Sequence, residues 1–289
     1  LPHPQKCKKM RKEQILFSIT TREVTTMKLT QIRNATNKLS YNGITFLIDP
    51  WLMPKHQFSF VDIPGRPFHV PEPVKEQLPM PFYDLPLPVA SILENVDAYI
   101  VTHLHPDHID IAPDGSVGAP LDKHLPLFCQ NEADAAVLAR SGFTDIRVLT
   151  SAPTEFSGIT LHKTECRHGT FNPCGEAMGV LFSHPQEPIF YIAGDTIWYD
   201  AVQRTLQTYR PDVIALNCCA AETIENGRLL MNDEDIECVQ KTCPSAALYL
   251  THLDTVAHAA ITRYSLRGLL ACRGITNYTI PLDGESIIY

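Results

Sequence analysis

The most constraining feature of the sequence is a run of histidines and aspartates that directly follows an apolar segment. The run occupies residues 102–110 and reads Thr-His-Leu-His-Pro-Asp-His-Ile-Asp. In an extended chain, side chains two residues apart point the same way, so His103 and His105 are expected to converge on one point. Beyond the intervening proline, Asp107 and His108 can face a second point nearby. Imidazoles and carboxylates together suit zinc or a similar divalent ion.

The rest of the chain alternates between predicted strands and predicted helices. Asn131 and Asn232 are predicted to cap helices, because acidic residues fill the turn that follows each of them. Further helices are predicted over Tyr199–Tyr209 and His258–Cys272. The predicted strands are Ile44–Ile48, Val96–His103, Ile146–Leu149, Ile159–Thr164, Ile189–Ala193, Val213–Leu216 and Ala247–Thr251. This alternation in both halves of the chain predicts an α/β fold with layered packing.

Polar residues also follow four other predicted strands. They are Asp49, His168, Asp195 and His252. An α/β sheet builds its site from residues just beyond the carboxyl ends of its strands. A single histidine at a strand end is more often a structural group. Taken together with the run at 102–110, however, these four residues favour a site for two metal ions.

A proline-rich stretch interrupts the alternation. Residues 50–88 hold ten of the 23 prolines, so the stretch is expected to form neither a helix nor a central strand. It also carries six aromatic side chains, which argue against disorder. We expect a flap packed over one face near the site, and a surface arm used in dimer contacts is the alternative.

Charge and cysteine content limit the classes of partner. Residues 1–26 carry +4, from six basic and two acidic side chains, and residues 27–289 carry −12, from 18 basic and 30 acidic side chains. An acidic domain disfavours nucleic acid, because phosphate binding depends on lysine and arginine. No apolar run approaches the roughly 18 residues of a membrane span.

The nine cysteines contain no Cys-x-x-Cys pair, so we expect reduced thiols and a cytoplasmic protein. Residues 1–26 are expected to form a flexible extension, and a transit peptide is the weaker alternative. The expected partner is a small-molecule substrate, and a homo-oligomer is left open.

The landmarks of this chain resemble those of the metallo-β-lactamase-fold hydrolase superfamily. In chain order they are Asp49-Pro50-Trp51, the His-x-His-x-Asp-His run, His168-Gly169, Gly194-Asp195-Thr196 and Thr251-His252. Within the superfamily, the chain is similar to the subgroup that includes the L-ascorbate-6-phosphate lactonase. The resemblance implies one domain over residues 27–289, an αβ/βα four-layer sandwich of two mixed β-sheets with helices outside.

The resemblance also implies a role for each landmark residue. His103, His105 and His168 would hold one metal ion, Asp107, His108 and His252 would hold the other, and Asp195 would bridge them. Asp49 would orient a ligand imidazole through a hydrogen bond, and Asp110 is either a second such residue or a simple helix N-terminal acid. The expected cofactors are two divalent ions, zinc first, with manganese or iron as alternatives.

The expected reaction is hydrolysis by a hydroxide that bridges two metal ions, because metal binding lowers the pKa of water to about 7. Asp107 is the candidate proton shuttle, and His258 or Tyr199 would protonate the leaving group. The catalytic candidates are therefore Asp107, Asp195 and His258, with His258 taken as a substrate-side group and not as a metal ligand. Arg263, predicted one helical turn beyond His258, is either a contact for an anionic substrate or an ordinary surface residue.

The expected substrate is a small ester or lactone, and a small phosphodiester is the alternative. β-Lactam hydrolysis is disfavoured, because the enzymes that perform it resemble this pattern but carry a cysteine where Asp195 stands. Electron transfer is also disfavoured, because the diiron members of the superfamily that perform it carry a carboxylate where His105 stands. A metal-binding protein without turnover, which acts through partner contacts, is a third hypothesis from another class.

Overall fold

The computed structural model describes residues 26–59, 65–169 and 175–289. The extension predicted for residues 1–26 lies outside the described residues, apart from its last residue. The helices are α1 (Pro73–Glu76), α2 (Val89–Leu93), α3 (Glu132–Arg140), α4 (Asp200–Tyr209), α5 (Asp233–Thr242) and α6 (Arg263–Cys272). None of the helices in these ranges is long and apolar enough to cross a membrane.

The first large sheet has seven strands. They are β1 (Lys28–Arg33), β2 (Thr36–Tyr41), β3 (Ile44–Ile48), β5 (Ala98–Ile100), β6 (Leu127–Cys129), β7 (Ile146–Val148) and β17 (Ser286–Ile288), in the order β17-β1-β2-β3-β5-β6-β7. Strands β1 to β3 form an antiparallel meander, and β3, β5, β6 and β7 run parallel. Asn42 and Gly43, both at positive φ, make the two-residue turn between β2 and β3.

The second large sheet also has seven strands. They are β8 (Thr154–Phe156), β9 (Ile159–Glu165), β10 (Met178–Ser183), β11 (Phe190–Ile192), β12 (Val213–Asn217), β15 (Ala247–Thr251) and β16 (Tyr278–Thr279), in the order β16-β15-β12-β11-β10-β9-β8. Strands β11, β12, β15 and β16 are parallel, whereas β8, β9, β10 and β11 are antiparallel neighbours. Strand β10, in the middle of this sheet, has no counterpart among the predicted strands.

A small third sheet joins the proline-rich stretch to a hairpin. Its strands are β4 (Phe68–His69), β13 (Glu222–Thr223) and β14 (Gly227–Arg228), in the order β14-β13-β4. The proline-rich stretch therefore contains a two-residue edge strand and the one-turn helix α1, although it was expected to form no helix. Helix α1 is possible because Pro73 lies in its first turn, where the missing N–H is not needed.

The two large sheets pack face to face, and helices cover their outer faces. Along β3, Phe46 and Ile48 face the core between the sheets, while Leu47 packs with Leu138 of α3 on the outside. Leu206 of α4 packs on the outer face of the second sheet. The fold is thus the predicted αβ/βα sandwich with two mixed sheets.

Element boundaries differ from the predictions where side chains cap the backbone. Helix α6 begins at Arg263 and not at His258, because the side chains of Thr262 and Ser265 form a capping box there. Asp254 Oδ1 also accepts a hydrogen bond from the backbone N–H of Arg263, at 2.9 Å. The strand predicted over Val96–His103 pairs only at Ala98–Ile100.

A buried arginine fixes both ends of the proline-rich stretch. The Arg33 guanidinium donates hydrogen bonds to the carbonyl oxygens of Trp51 (3.1 Å), Met53 (2.9 Å) and Tyr83 (3.2 Å). It also lies 4.7 Å from the centre of the Trp51 ring. Burial lowers the pKa of Arg33 to about 10, so the side chain stays charged at neutral pH. These contacts hold the stretch against the sandwich.

We predict that Arg33→Ala lowers the free energy of unfolding by about 3 kcal/mol, because the buried carbonyl of Trp51 and the partly buried carbonyls of Met53 and Tyr83 lose their donor. Chemical denaturation measures this change. Arg66→Ala is the matched control. The Arg66 side chain is exposed and its ion pair with Glu76 is long, at 4.0 Å, so this substitution should change the free energy of unfolding by less than about 0.5 kcal/mol. Equal losses in the two variants would show that Arg33 does not anchor the stretch.

Candidate metal centre

The polar landmark residues meet at one end of the sandwich, just beyond the carboxyl ends of strands from both sheets. Asp49 follows β3, the residues from His103 to His108 follow β5, His168 follows β9, Asp195 follows β11 and His252 follows β15. The side chains of these residues are almost entirely buried, except for the half-buried His105. The strand ends therefore bring together residues that are as far apart in the sequence as Asp49 and His252.

Six of these side chains form two groups of possible metal ligands. The groups are His103 with His105 and His168, and Asp107 with His108 and His252, with the ligand atoms of each group within 4.8 Å of one another. In the first group, Nε2 of His103 lies 2.9 Å from Nδ1 of His105. In the second, Nε2 of His252 lies 3.2 Å from Nε2 of His108 and 3.3 Å from Oδ2 of Asp107.

Asp195 lies between the two groups. Its Oδ2 is 3.2 Å from Nε2 of His108, 3.6 Å from that of His168, 3.8 Å from that of His103 and 4.0 Å from that of His252. One carboxylate oxygen thus faces imidazoles of both groups. The structure places all seven predicted ligands in one cluster, and their roles as ligands stay predictions.

The protonation states in this cluster fit divalent cations. Burial, reinforced by the neighbouring His168, lowers the pKa of His105 to about 4, so its imidazole is neutral and free to coordinate. Burial disfavours the ionised form of Asp195, but the surrounding imidazoles outweigh it and hold the pKa of this carboxyl well below its usual value. Burial likewise disfavours the charged form of His108, yet the Asp195 and Asp49 carboxylates raise its pKa to about 10. Buried carboxylates thus demand positive charge at this point, which a metal ion supplies.

Asp49 lies where its predicted role requires. Its Oδ2 is 2.9 Å from Nδ1 of His108, which leaves Nε2 of that imidazole facing Asp195. Asp49 itself is fixed by the backbone N–H of Thr102 at 2.8 Å and the Thr102 hydroxyl at 2.9 Å. Asp110 does not contact a ligand imidazole in this way, because its Oδ1 accepts from the backbone N–H groups of Leu52 and Met53.

The sequence reasoning missed two asparagines that orient the cluster. Nδ2 of Asn217 donates to Oδ1 of Asp195 at 2.6 Å, which leaves Oδ2 of Asp195 directed at the imidazoles. Nδ2 of Asn34 donates to the backbone oxygen of Asp107 at 3.1 Å and lies 3.3 Å from Nε2 of His252. Asn217 ends β12, so the same strand-end rule could have found it.

Three residues of this region have left-handed backbone conformations. They are Asn34 (φ 53°), Asp49 (φ 46°) and His252 (φ 62°). Residues with side chains adopt positive φ uncommonly, although asparagine, aspartate and histidine do so more often than most others. Such conformations persist where the surrounding contacts enforce them, as the hydrogen bonds of the cluster do here.

The other predicted site residues divide into one that reaches the cluster and two that do not. Nε2 of His258 lies 3.6 Å from Oδ2 of Asp107. Arg263 is neither a substrate contact nor a surface residue, because its guanidinium pairs with Asp254 at 3.1 Å and Asp283 at 2.5 Å. Tyr199 lies under the Arg167 guanidinium, at 4.5 Å, and is not among the described residues that line the cavity at the cluster.

That cavity measures about 310 Å³ and opens directly onto the cluster. Its polar side is formed by His105, Asp107, His168, Asp195 and His258. Its other walls are apolar and consist of Phe58, Pro67, Phe68, Pro106, Ala221, Leu229 and Leu230. Phe58, Pro67 and Phe68 belong to the proline-rich stretch, so part of that stretch forms a wall of the cavity, and its role as a flap stays a prediction.

Comparison with known proteins decides the family. No family model matches the chain. The UPF0173 protein YddR of Bacillus subtilis (strain 168) is 38% identical over 268 residues, which cover 91% of this chain and 100% of that protein. The chain belongs to the UPF0173 family. This family assignment holds across nearly the whole of both chains.

Solved structures place UPF0173 among the metallo-β-lactamase-fold metallohydrolases. A possible metal-dependent hydrolase from Veillonella parvula DSM 2008 is 36% identical with a TM-score of 0.81, covering 92% of this chain and 100% of that one. An isothiocyanate hydrolase from Delia radicum gut bacteria is 36% identical with a TM-score of 0.79, covering 91% and 99%. The metallo-β-lactamase fold protein YhfI from Bacillus subtilis shares the fold, at 16% identity, a TM-score of 0.58 and coverage of 90% and 99%. The chain is thus similar in sequence and in fold to metal-dependent hydrolases, and its likeness to the L-ascorbate-6-phosphate lactonase subgroup stays a prediction.

We predict that His103→Ala and Asp195→Ala each lose bound metal and activity together, because each removes a ligand that no neighbour replaces. His258→Ala should keep its metal and lose activity. Elemental analysis of the purified variants measures the metal content. Metal loss in the His258 variant would mean that His258 is a ligand and that the assignment above is wrong.

We also predict that Asn217→Ala weakens metal binding by about 10- to 100-fold, because Oδ1 of Asp195 loses its donor and the carboxylate is free to rotate. A competition titration with a chelator measures the affinity. Asn277→Ala is the control, since Nδ2 of Asn277 donates to the carbonyl of Ala246, which precedes β15 and so lies at the opposite end of that strand from His252. Unchanged affinity in the Asn217 variant would contradict an orienting role.

Proposed function

We propose that this chain uses two divalent metal ions to hydrolyse small, uncharged substrates that carry an apolar substituent. Isothiocyanates are the substrate class that we favour, and small esters or lactones are the second. The observation that supports the proposal most directly is the cavity, which is polar on the side of the metal cluster and apolar elsewhere.

The charge of the cavity disfavours phosphorylated substrates. No lysine or arginine is found among the described residues that line it, and the sequences of residues 60–64 and 170–174 contain neither. Binding sites for phosphate groups commonly use the charge and multiple donors of arginine or lysine. The phosphodiester alternative, and a lactone that bears a phosphate, therefore fit this cavity poorly.

An isothiocyanate meets the requirements of the cavity. It is uncharged, its substituent R is a hydrocarbon, and its central carbon is open to attack by water. Hydrolysis consumes one water and breaks the carbon–nitrogen linkage, as R–N=C=S + H₂O gives R–NH₂ + O=C=S. The isothiocyanate hydrolase that is 36% identical to this chain supports the class, and esters and lactones present a comparably electrophilic carbon.

The residues that would hold the ions are those of the two groups, with Asp195 between them. When bound, two divalent ions would acidify water and polarise the substrate. The chain itself supplies the proton transfers. Oδ2 of Asp107 lines the cavity and is placed to accept a proton from the attacking water. Nε2 of His258 lies 3.6 Å from that oxygen, and burial lowers the pKa of His258 to about 4, so this neutral imidazole would take up the proton from Asp107 and pass it to the leaving atom.

The apolar walls contribute by excluding water. Phe58 and Phe68 from the proline-rich stretch line the cavity together with Leu229 and Leu230. A site with few water molecules strengthens the electrostatic interactions of Asp107 and His258 with a bound substrate. It also limits the competing reactions of a reactive electrophile.

We predict that the metal-loaded protein releases amine from benzyl isothiocyanate with a kcat/KM at least about 100-fold above that for bis(p-nitrophenyl) phosphate. A simple lactone and a p-nitrophenyl ester should fall between the two. A chelator and the Asp195→Ala variant should abolish all turnover. Rates are measured with the same metal in every assay.

Two outcomes would contradict this proposal. Faster turnover of the phosphodiester than of the uncharged substrates would support the phosphodiesterase alternative. No turnover of any of the four substrates, with the metal content shown to be full, would support a metal-binding protein that acts through partner contacts.

A further inference from the structure

We propose that the apolar half of the cavity is a subsite for the hydrocarbon substituent of the ligand, and that Phe68 determines the size and polarity of the groups it accepts. This subsite is formed by Phe58, Pro67, Phe68, Ala221, Leu229 and Leu230. This proposal depends on the proposed function in one respect only, which is the identity of the group that reacts at the cluster of predicted ligands.

The subsite is built mainly on the small third sheet and the residues that flank it. Phe68 lies in β4 and pairs with Thr223 of β13, and Ala221 directly precedes β13. Leu229 follows β14, and its backbone N–H donates to the Ala221 carbonyl at 2.7 Å. The walls of the subsite are thus backbone-paired elements and not loose loops, which is what a selective surface requires.

A side-chain contact on the far side of the sheet joins the strand that carries Phe68 to its neighbour. Nδ1 of His69 lies 2.8 Å from Oε1 of Glu222, and these two residues are partners in the β4–β13 register. Side chains alternate along a strand, so the exposed His69 and the cavity-lining Phe68 point to opposite sides. Phe68 is therefore the side chain that β4 presents to the cavity.

Two contacts fix the subsite relative to the metal cluster. The carbonyl oxygen of Leu229 lies 3.3 Å from Nδ1 of His168, a predicted ligand. The ring of Phe68 lies 5.3 Å from the ring of His258, with an angle of 30° between their planes. A substituent against Phe68 and Leu229 therefore leaves the attached reactive group at the cluster.

The cavity volume limits what the subsite accepts. A volume of about 310 Å³ is at the lower end of ligand cavities, and the cluster occupies one side of it. The walls offer apolar contact and no cationic partner among the described residues. The subsite thus selects short alkyl or single-ring aromatic groups and disfavours charged ones.

Binding of unreactive ligands tests the subsite separately from turnover. The probes are the unbranched alcohols from 1-propanol to 1-hexanol, whose dissociation constants for the metal-loaded protein are measured by ligand-observed NMR. Each added methylene should tighten binding about fourfold until the subsite is full, as expected for burial of one CH₂. In Phe68→Ala, the gain per methylene should fall to less than about twofold, and Phe68→Leu should restore most of it.

The control variant is Tyr264→Ala, which removes an aromatic side chain that is 90% exposed on α6 and should leave the series unchanged. Dissociation constants that do not depend on chain length, or that respond equally to the Phe68 and Tyr264 variants, would overturn the subsite. If the series behaves as expected but no isothiocyanate, ester or lactone is hydrolysed, the subsite stands and the proposed reaction fails. If substrates are hydrolysed but the series is flat, the reaction stands and the subsite fails.

Discussion

The burial of carboxylates among imidazoles is the interaction on which the rest of this structure depends. Oδ2 of Asp195 lies within 4.0 Å of a nitrogen on each of four imidazoles. A carboxylate out of water is costly unless positive charge and hydrogen-bond donors surround it. Asn217 supplies a donor to its other oxygen, and the imidazoles supply partners that a metal ion would share. The chemistry of the site is therefore also a condition of the fold around it.

The two sheets make this arrangement possible because both direct strand ends to the same place. Asp49 and His103 come from the first sheet, whereas His168, Asp195 and His252 come from the second. A cluster assembled from two packed sheets has its geometry set by the core between them, where Phe46 and Ile48 face Phe182 and Ile192. Asp49 and His252 adopt positive φ, a conformation that costs free energy, and this conformation lets their side chains reach the cluster.

The sequence allowed the candidate ligands and Asp49 to be predicted, but not the two asparagines that also position the cluster. The sequence indicated His103, His105 and Asp195 as ligands, because each follows an apolar strand and has a metal-binding side chain. Asn34 and Asn217 have amide side chains, which occur in many ordinary turns, and their contacts with Asp107 and Asp195 exist only in three dimensions. The start of α6 was misplaced because residues 258–262 look helical in composition, while the capping side chains of Thr262 and Ser265 decide the boundary. The contacts of Arg263 were not predicted, because its ion-pair partners Asp254 and Asp283 lie outside its own helix.

The turn between β1 and β2 links the proline-rich stretch to the cluster. Arg33 binds the carbonyls of Trp51 and Tyr83, at both ends of that stretch, and the next residue, Asn34, binds Asp107 and lies against His252. The stretch in turn supplies Phe58 and Phe68 to the cavity. Arg33 thus holds the stretch that forms the apolar wall, and Asn34 holds the backbone of Asp107. Because a shift of this turn would move both, the position of the apolar wall relative to Asp107 depends on the first hairpin, although neither Arg33 nor Asn34 is among the described residues that line the cavity.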